Sequence, residues 1–226
     1  MKNISVKNKY QAGWVGRLKR EPDELFNRYE RNWVLPPLFK KGEKVLDLAG
    51  GNSIVGEYLQ KKVGCRVFVY DISIAAIRDA KRRGVLGRVG SVENPLPFRK
   101  GSFDTVFWGD NIEHVFFPKD ILAEIKRVLK PKGRVIISTP NQAYWRYRWY
   151  MFYYGMLPKT EGEDNQPWEW EHIRFFNRKV LKELLQVVGF RETQVLGASR
   201  RRLDRIFLKK LPDWFGMIMV VEAVKK

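Results

Sequence analysis

Two acidic residues stand where buried strands are expected to end, which is the place where α/β proteins bind their ligands. The apolar run at residues 45–48 contains Asp47 and leads into the glycine pair Gly50 and Gly51, and Asp71 closes a second apolar run 20 residues after Gly51. Glycines let the backbone approach a ligand closely. A carboxylate after the second strand can accept hydrogen bonds from both hydroxyls of a ribose. The spacing predicts a site for an adenosine-containing cofactor.

The glycine-containing turn argues against two common kinds of nucleotide site. A dinucleotide site uses the pattern G-x-G-x-x-G, so that a pyrophosphate can lie on a helix N-terminus. The turn at residues 49–56 reads AGGNSIVG and does not have that spacing. The sequence also lacks the G-x-x-x-x-G-K-[ST] pattern of a P-loop. A cofactor with a ribose and no phosphate therefore fits the turn better.

Alternating strands and helices must position these residues. Strands are predicted at 44–48, 66–71, 88–90, 103–107 and 134–138, and helices at 54–63, 73–83 and 120–130. This alternation predicts a parallel, doubly wound sheet. A helix at 177–188 then ends at a glycine, and two last strands at 191–196 and 217–224 follow without an intervening helix. We therefore expect these two strands to form an antiparallel pair.

Composition limits the class of protein. A chain of 226 residues suits one domain, and no apolar run approaches the roughly 20 residues that span a bilayer. The N-terminus has no signal core, so we expect a soluble cytoplasmic protein; nothing in the sequence indicates its oligomeric state. A single cysteine, Cys65, rules out an internal disulfide and a cysteine-based zinc cluster. With only two histidines, no metal site is expected.

The charge of the chain is strongly positive. Lys and Arg number 43 against 25 acidic residues, which gives a formal net charge of +18. Such a field attracts polyanions, including nucleic acid, acidic lipid surfaces and phosphorylated substrates. The basic run at 200–205 could contact RNA phosphates, although a solvated loop is the simpler interpretation.

Two segments fall outside the strand–helix alternation. Residues 1–36 are predicted to form an N-terminal arm and helix, and residues 142–173 form an insertion that is dense in Trp, Tyr and Arg. The insertion has three open interpretations: a lid over the acceptor pocket, a helix that packs its aromatics into the core, or an interfacial helix for a lipid-like acceptor. As a lid, it would supply aromatic walls and an arginine for an acidic group. Its candidate acceptor contacts are Tyr144, Arg146, Trp149 and Trp168.

Several runs resemble, in order, the motifs of the class I S-adenosylmethionine-dependent methyltransferases, especially the small-molecule branch related to ubiquinone biosynthesis. They lie at 45–53, 69–73, 96–106, 111–115 and 124–134, with a weaker similarity at 172–190. The resemblance implies a Rossmann-like, three-layer α/β/α fold in which the seven-stranded sheet is mostly parallel and its last strand antiparallel. It also implies S-adenosyl-L-methionine (SAM) as the cofactor.

The resemblance assigns cofactor contacts along the strand ends. The first turn would hold the methionine end, the second strand the ribose, the third the adenine, and the fourth would lie near the reactive methyl group. The residues so assigned are Asp47, Ala49, Gly50, Gly51, Asp71, Ile72, Ser91, Val92, Glu93, Gly109 and Asp110. Ala49 and Ser53 stand where the family usually has glycine, and Ser91 where it often has an acid. A positive φ at Ala49 or Ser53 would be strained.

Few catalytic side chains are needed for methyl transfer from a sulfonium. The protein must mainly align the acceptor with the methyl group, and a general base helps only if the acceptor loses a proton. The candidates are His114, His172 and Asp110. The simpler interpretations are a hydrogen-bonded packing role for His114 and a turn role for Asp110.

The sequence therefore predicts a SAM-dependent methyltransferase that acts on a small-molecule acceptor, acidic or lipid-like in character. The alternatives are a methyltransferase of RNA or another macromolecule, suggested by the charge, and a cofactor-binding module without transfer activity, suggested by the altered turn. A dehydrogenase is more remote. No Asp-Pro-Pro-Tyr motif follows the fourth strand, which disfavours amino-group methylation of DNA bases, and the lack of a catalytic cysteine disfavours C5 methylation.

Overall fold

A seven-stranded sheet forms the centre of the molecule. The computed structural model describes Phe26, residues 30–158, Thr160 and residues 171–226. The order of the strands across the sheet is β3-β2-β1-β4-β5-β7-β6. The strands are β1 (Lys44–Leu48), β2 (Arg66–Asp71), β3 (Leu86–Val89), β4 (Phe103–Gly109), β5 (Leu129–Pro140), β6 (Phe190–Ala198) and β7 (Ile218–Lys225).

The pairing of the strands confirms the predicted fold class. Strands β1 to β5 pair in parallel with their neighbours, and β7 runs antiparallel to both β5 and β6. The strand order reverses between β1 and β4, so the carboxyl ends of these two strands flank the crevice where open α/β sheets bind ligands. Asp47, at the end of β1, and Asp110, just after β4, both belong to this edge.

Within the described ranges, α-helices pack around or project from the sheet. They are α1 (Ile54–Tyr58), α2 (Ile74–Arg82), α3 (Pro118–Val128), α4 (Trp145–Tyr154), α5 (Arg178–Val188), α6 (Arg202–Phe207) and α7 (Pro212–Phe215). A π-helical turn, Leu59–Val63, extends α1 to Gly64, and α5 ends at Gly189; both glycines have positive φ, of 84° and 89°. The structure confirms these predicted helix ends. Glycine suits them because it takes the left-handed conformation without strain.

Two apolar layers hold the helices against the faces of the sheet. On one face, residues such as Trp108 and Ile137 pack with Leu122 of α3 and Leu181 of α5. On the other face, alternate strand residues such as Val45 and Val67 pack with α1 and α2, as the two-residue period of a strand requires. Cys65 is buried in this second layer.

The structure corrects three details. The helix predicted at 120–130 ends at Val128, because Leu129 already pairs with Phe103 across β5 and β4. Two short helices, α6 and α7, connect β6 to β7, although the antiparallel pairing itself is confirmed. The basic run at 200–205 is therefore not a plain solvated loop, since α6 begins at Arg202.

Parts of two predicted segments cannot be placed. Most of the N-terminal arm and helix at 1–36, and Trp168 within the insertion, lie outside the described residues. Within the described ranges, no helix combines the length and the apolar character needed to cross a membrane.

Candidate active site

The turn after β1 is built on left-handed backbone conformations. Ala49, Gly51 and Ser53 have φ values of 54°, 59° and 53°. The N–H of Ala49 donates to the carbonyl of Tyr70 at 2.8 Å, and the N–H of Ser53 donates to the carbonyl of Gly50 at 2.9 Å. A left-handed conformation costs a non-glycine residue roughly 1–2 kcal/mol. The strain that the sequence raised at Ala49 and Ser53 is therefore present at both positions.

Replacing Ala49 with glycine should stabilise the protein. The Ala49→Gly variant relieves the positive φ and should raise the free energy of unfolding by about 1 kcal/mol in chemical denaturation. The matched control is Ala123→Gly, at an exposed position inside α3, which should lower it by about 1 kcal/mol. Equal losses in both variants would contradict a strained Ala49.

Asp47 lies beneath this turn as a buried carboxylate. It is 3% exposed and accepts a hydrogen bond from the Ser53 hydroxyl at 2.6 Å. A Cβ at Gly50 would stand 2.3 Å from the Asp47 Cγ, so the carboxylate requires glycine there. Burial raises the pKa of Asp47 to about 6, against the opposing effects of the Ser53 hydrogen bond and the Arg31 charge. The charge of this carboxylate is therefore held in the crevice at a cost to the folded state.

The raised pKa of Asp47 predicts a pH dependence of stability. Because the folded pKa exceeds the unfolded one, the stabilising contribution is complete below the unfolded pKa and is lost as pH rises through about 6. Between pH 5 and pH 7, this carboxyl should lower the free energy of unfolding by about 1 kcal/mol. Denaturation of the ligand-free protein across that range should show this loss, and Asp47→Asn should remove it. Parallel pH profiles for the two proteins would refute the assignment.

Asp71, at the end of β2, ties the same turn to the second strand. Its carboxylate is buried and accepts the N–H of Gly51 and the N–H of Ser73, each at 2.8 Å. Burial raises the pKa of Asp71, and the two backbone hydrogen bonds partly offset that rise. Each carboxylate oxygen has a second lone pair. The residue types and contacts here therefore fit a cofactor with a ribose.

The loop after β3 carries the residues assigned to the adenine. The Ser91 hydroxyl accepts the N–H of Glu93 at 3.2 Å, and the Ser91 carbonyl accepts the Tyr70 hydroxyl at 3.4 Å. The Glu93 carboxylate accepts the N–H of Phe116 at 3.1 Å, which joins this loop to the one after β4. Val92 packs against the core. These contacts fix the shape of the loop. The loop follows β3, which pairs with β2, so it lies near Asp71 at the end of β2 and the adjacent Ile72.

Asp110 connects the ends of β4 and β5. It has a φ of 45°, its N–H donates to the Ser138 carbonyl at 2.9 Å, and its carboxylate accepts the Ser138 hydroxyl at 2.6 Å. It directly follows Gly109 and forms an ion pair with Arg31. Arg31 also lowers the pKa of Asp47. One guanidinium is thus shared electrostatically by carboxylates on both sides of the crevice.

The two histidines meet beside a buried glutamate. A carboxylate oxygen of Glu113 and a ring nitrogen from each of His114 and His172 all lie within 4.8 Å of one another. The centroids of the two imidazole rings are 4.7 Å apart, in an edge-to-face arrangement. The His114 Nδ1 lies 3.0 Å from the Glu171 carbonyl. Because a carbonyl only accepts, Nδ1 carries the proton, and the lone pair of neutral His114 is on Nε2.

Further contacts fix the glutamate and the second histidine. The Thr139 hydroxyl donates to Glu113 at 3.0 Å, and the Glu113 carbonyl accepts the N–H groups of Ile173 and Arg174. The Thr160 hydroxyl lies 2.7 Å from the His172 Nδ1. Such a set can take up a proton or coordinate a divalent transition metal. Sequence reasoning named both histidines but not Glu113, whose place beside His114 was the available signal. The expectation of no metal site stays a prediction.

The acceptor candidates fall into different environments. Arg146 and Trp149 are exposed on α4, whereas Tyr144 is buried and its hydroxyl donates to Asp204 at 2.7 Å. The Asp204 contact favours a structural role for Tyr144. The interpretation of α4 as a helix that buries its aromatics in the core is wrong, because none of its residues is buried.

Comparison with known proteins decides the family. A pattern described as a methyltransferase domain matches residues 16–195, which include the turn, Asp71, Asp110 and both histidines. This chain belongs to the class I S-adenosylmethionine-dependent methyltransferases. The predicted family, enzyme class and SAM dependence are thereby confirmed.

Two sequence relatives and one solved structure of this methyltransferase agree with the family assignment. It is 31% identical over 169 residues to a ubiquinone/menaquinone biosynthesis C-methyltransferase of Methylococcus capsulatus, covering 67% of this chain and 68% of that one. It is 29% identical over 135 residues to a ubiquinone biosynthesis O-methyltransferase of Xanthomonas oryzae, covering 57% and 56%. The crystal structure of a SAM-dependent methyltransferase from Archaeoglobus fulgidus shares the fold, with a TM-score of 0.66 at 17% identity, covering 94% and 98%.

Proposed function

We propose that this methyltransferase moves a methyl group from SAM to a small-molecule acceptor by in-line displacement in the crevice between β1 and β4. The observation that carries the proposal is the buried Asp71 carboxylate, which holds the N–H of Gly51 at 2.8 Å while each of its oxygens keeps a lone pair. This arrangement fits a ribose beside a turn that lacks the spacing for a pyrophosphate.

Residues along the strand ends would hold the donor. When bound, SAM supplies a methyl group that is already activated as a sulfonium. Asp71 and Ile72 would bind the ribose, and Ser91, Val92 and Glu93 would flank the adenine. The methionine end would lie against Asp47 and the turn formed by Ala49, Gly50 and Gly51. Asp47 suits that place because a carboxylate stabilises a nearby cation.

The acceptor would lie beyond the methyl group, between the loop after β4 and the histidines. Gly109 and Asp110 border this space at the end of β4. His114 can remove a proton from an acceptor hydroxyl or activated carbon through Nε2, because its Nδ1–H is held by the Glu171 carbonyl. His172 lies edge-on to His114 and would position it. Two relatives are named for ubiquinone or menaquinone biosynthesis, which supports a small, lipid-like acceptor here.

A labelled-methyl screen tests the proposal. The enzyme is incubated with SAM that carries a labelled methyl group and with cell extract separated into RNA, lipid and small-molecule fractions. Label should enter the lipid or small-molecule fraction and not the RNA. Label in RNA would favour the macromolecular alternative, which the net charge of +18 suggests. In that case, binding to bulk RNA should also weaken steeply as the salt concentration rises. SAM binding without transfer to any fraction would favour a cofactor-binding module.

A further inference from the structure

Helix α4 exposes large aromatic side chains to solvent. Phe152 is 76% exposed and Tyr153 is 71% exposed, and Trp149 lies beside them on the same helix. The ring of Trp149 stacks on Tyr153 at 5.7 Å and meets Phe152 edge-on at 6.0 Å. Folded proteins rarely leave contiguous apolar surface of this kind uncovered, and such surface marks an interaction site.

A second exposed group lies next to α4 and enlarges this surface. Leu203 and Ile206 of α6 are 73% and 68% exposed. Helix α7 meets α4 through the Arg148 guanidinium, which lies 4.1 Å from the Trp214 ring centroid. Helix α6 meets α4 through Asp204, which accepts the Trp145 indole N–H at 3.0 Å. The aromatic surface, as we name it, consists of Trp149, Phe152, Tyr153, Leu203, Ile206 and Trp214.

The charges around the aromatic surface are positive. Exposed cations on or beside α4, α6 and α7 include Arg146, Arg202, Lys209 and Lys210. Residues 144–157 contain no acidic residue, and residues 199–216 contain two. Of these, Asp204 is buried and accepts the Tyr144 hydroxyl, and Asp213 pairs with Arg178 at 3.2 Å. Within the described part of the chain, the surface therefore presents apolar rings edged by cations that these two acids do not pair with.

The position of the aromatic surface relates it to the active site. Helix α4 follows the carboxyl end of β5, and α6 and α7 connect the end of β6 to the start of β7. Ala198 and Pro140 are both in register with Ile218, so these connections leave the sheet at one edge. Asp110 lies at that same edge, after β4, which is parallel to β5.

We propose that the aromatic surface docks the methyltransferase on an anionic lipid bilayer, with the carboxyl edge of the sheet facing the membrane. Trp and Tyr favour the boundary between headgroups and acyl chains, and Leu and Ile can insert further. The neighbouring Arg and Lys side chains attract anionic headgroups. This interaction goes beyond the proposed function and does not depend on the acceptor.

Vesicle flotation tests the proposal. The full chain is mixed with vesicles of phosphatidylcholine and phosphatidylglycerol, or of phosphatidylcholine alone, and should bind the anionic vesicles preferentially. The triple variant Phe152→Ser, Tyr153→Ser, Leu203→Ser should bind them about a hundredfold more weakly, since binding scales with buried apolar area. Replacing Arg202, Lys209 and Lys210 with glutamine should weaken binding by about tenfold or more.

A matched control separates docking from a general loss of apolar surface. Leu86 on β3 and Val187 on α5 are both 68% exposed and lie outside the aromatic surface, so Leu86→Ser with Val187→Ser should bind vesicles like the wild type. SAM calorimetry and circular dichroism should confirm that every variant is folded. Equal vesicle binding by the triple variant and the wild type would overturn the proposal. So would a wild-type chain that binds no vesicles and forms a dimer that the triple variant abolishes.

Discussion

Replacing Asp71 with alanine is expected to weaken SAM binding by about a hundredfold or more. The variant removes a carboxylate that would accept both ribose hydroxyls, and hydrogen bonds to charged groups contribute roughly 1.5–3 kcal/mol each. It also frees the N–H groups of Gly51 and Ser73, which the carboxylate now holds at 2.8 Å. Calorimetric titration with SAM and with its demethylated product measures the loss, which should be similar for both ligands because the ribose is common to them.

Asp104 provides the matched control for Asp71. Its carboxylate also accepts a backbone N–H, from Lys44 at 2.9 Å, but it lies near the start of β4, at the opposite edge of the sheet. Asp104→Ala should therefore leave SAM affinity unchanged. Asp71→Asn should fall between alanine and the wild type, because an amide keeps one accepting oxygen. An Asp71→Ala protein that binds SAM as tightly as the wild type would remove the main support for the proposed donor site.

Replacing His114 with glutamine is expected to lower kcat by about a hundredfold or more, the usual range for loss of a general base. Glutamine can keep the hydrogen bond to the Glu171 carbonyl, which His114 now makes at 3.0 Å, but it cannot take up a proton. SAM affinity should stay at the wild-type value, because His114 is separate from the residues that would hold the donor. The acceptor found by the labelled-methyl screen supplies the assay.

Two outcomes would contradict a base at His114. Unchanged kcat in His114→Gln would show that the acceptor does not lose its proton to this side chain. Transfer that a chelator abolishes and a divalent cation restores would instead indicate that Glu113, His114 and His172 act together as metal ligands, which their spacing within 4.8 Å allows. Asp120→Asn, at the start of α3, is a control for a general effect of substitution near this edge.

The framework of the fold could be predicted from the sequence because local patterns determine it. The strand leading to Asp47, the glycine that ends α5 and the antiparallel final pair all follow from apolar runs and left-handed glycine positions. Prediction was less accurate where pairing across the sheet overrides local preference. Leu129 reads as the last turn of a helix, yet it pairs with Phe103 at the start of β5.

In the candidate site, too, the sequence indicates the residues that local patterns place and misses those that long-range contacts bring together. The proposed roles of Asp47, Asp71 and Asp110 rest on their places at the ends of individual strands, and the sequence shows those places directly. The meeting of His114 with His172 depends on a contact between segments 58 positions apart, and a single sequence gives no measure of such proximity. The exposure of α4 could not be predicted either, because ten mostly aromatic residues suit a core as well as a surface.

The buried carboxylate of Asp204 has a consequence for how the enzyme could evolve. It accepts hydrogen bonds from the Tyr144 hydroxyl, the Trp145 indole and the Ser199 hydroxyl, at 2.7, 3.0 and 2.6 Å. Buried hydrogen bonds to one carboxylate thereby hold together residues 144–145 and residues 199–204, which are far apart in sequence. Exposed side chains such as Phe152 and Leu203 lie outside these hydrogen bonds. We therefore expect them to tolerate exchange, so that the surface can adapt to new acceptors or new cellular surroundings while the strands that would hold the donor stay unchanged.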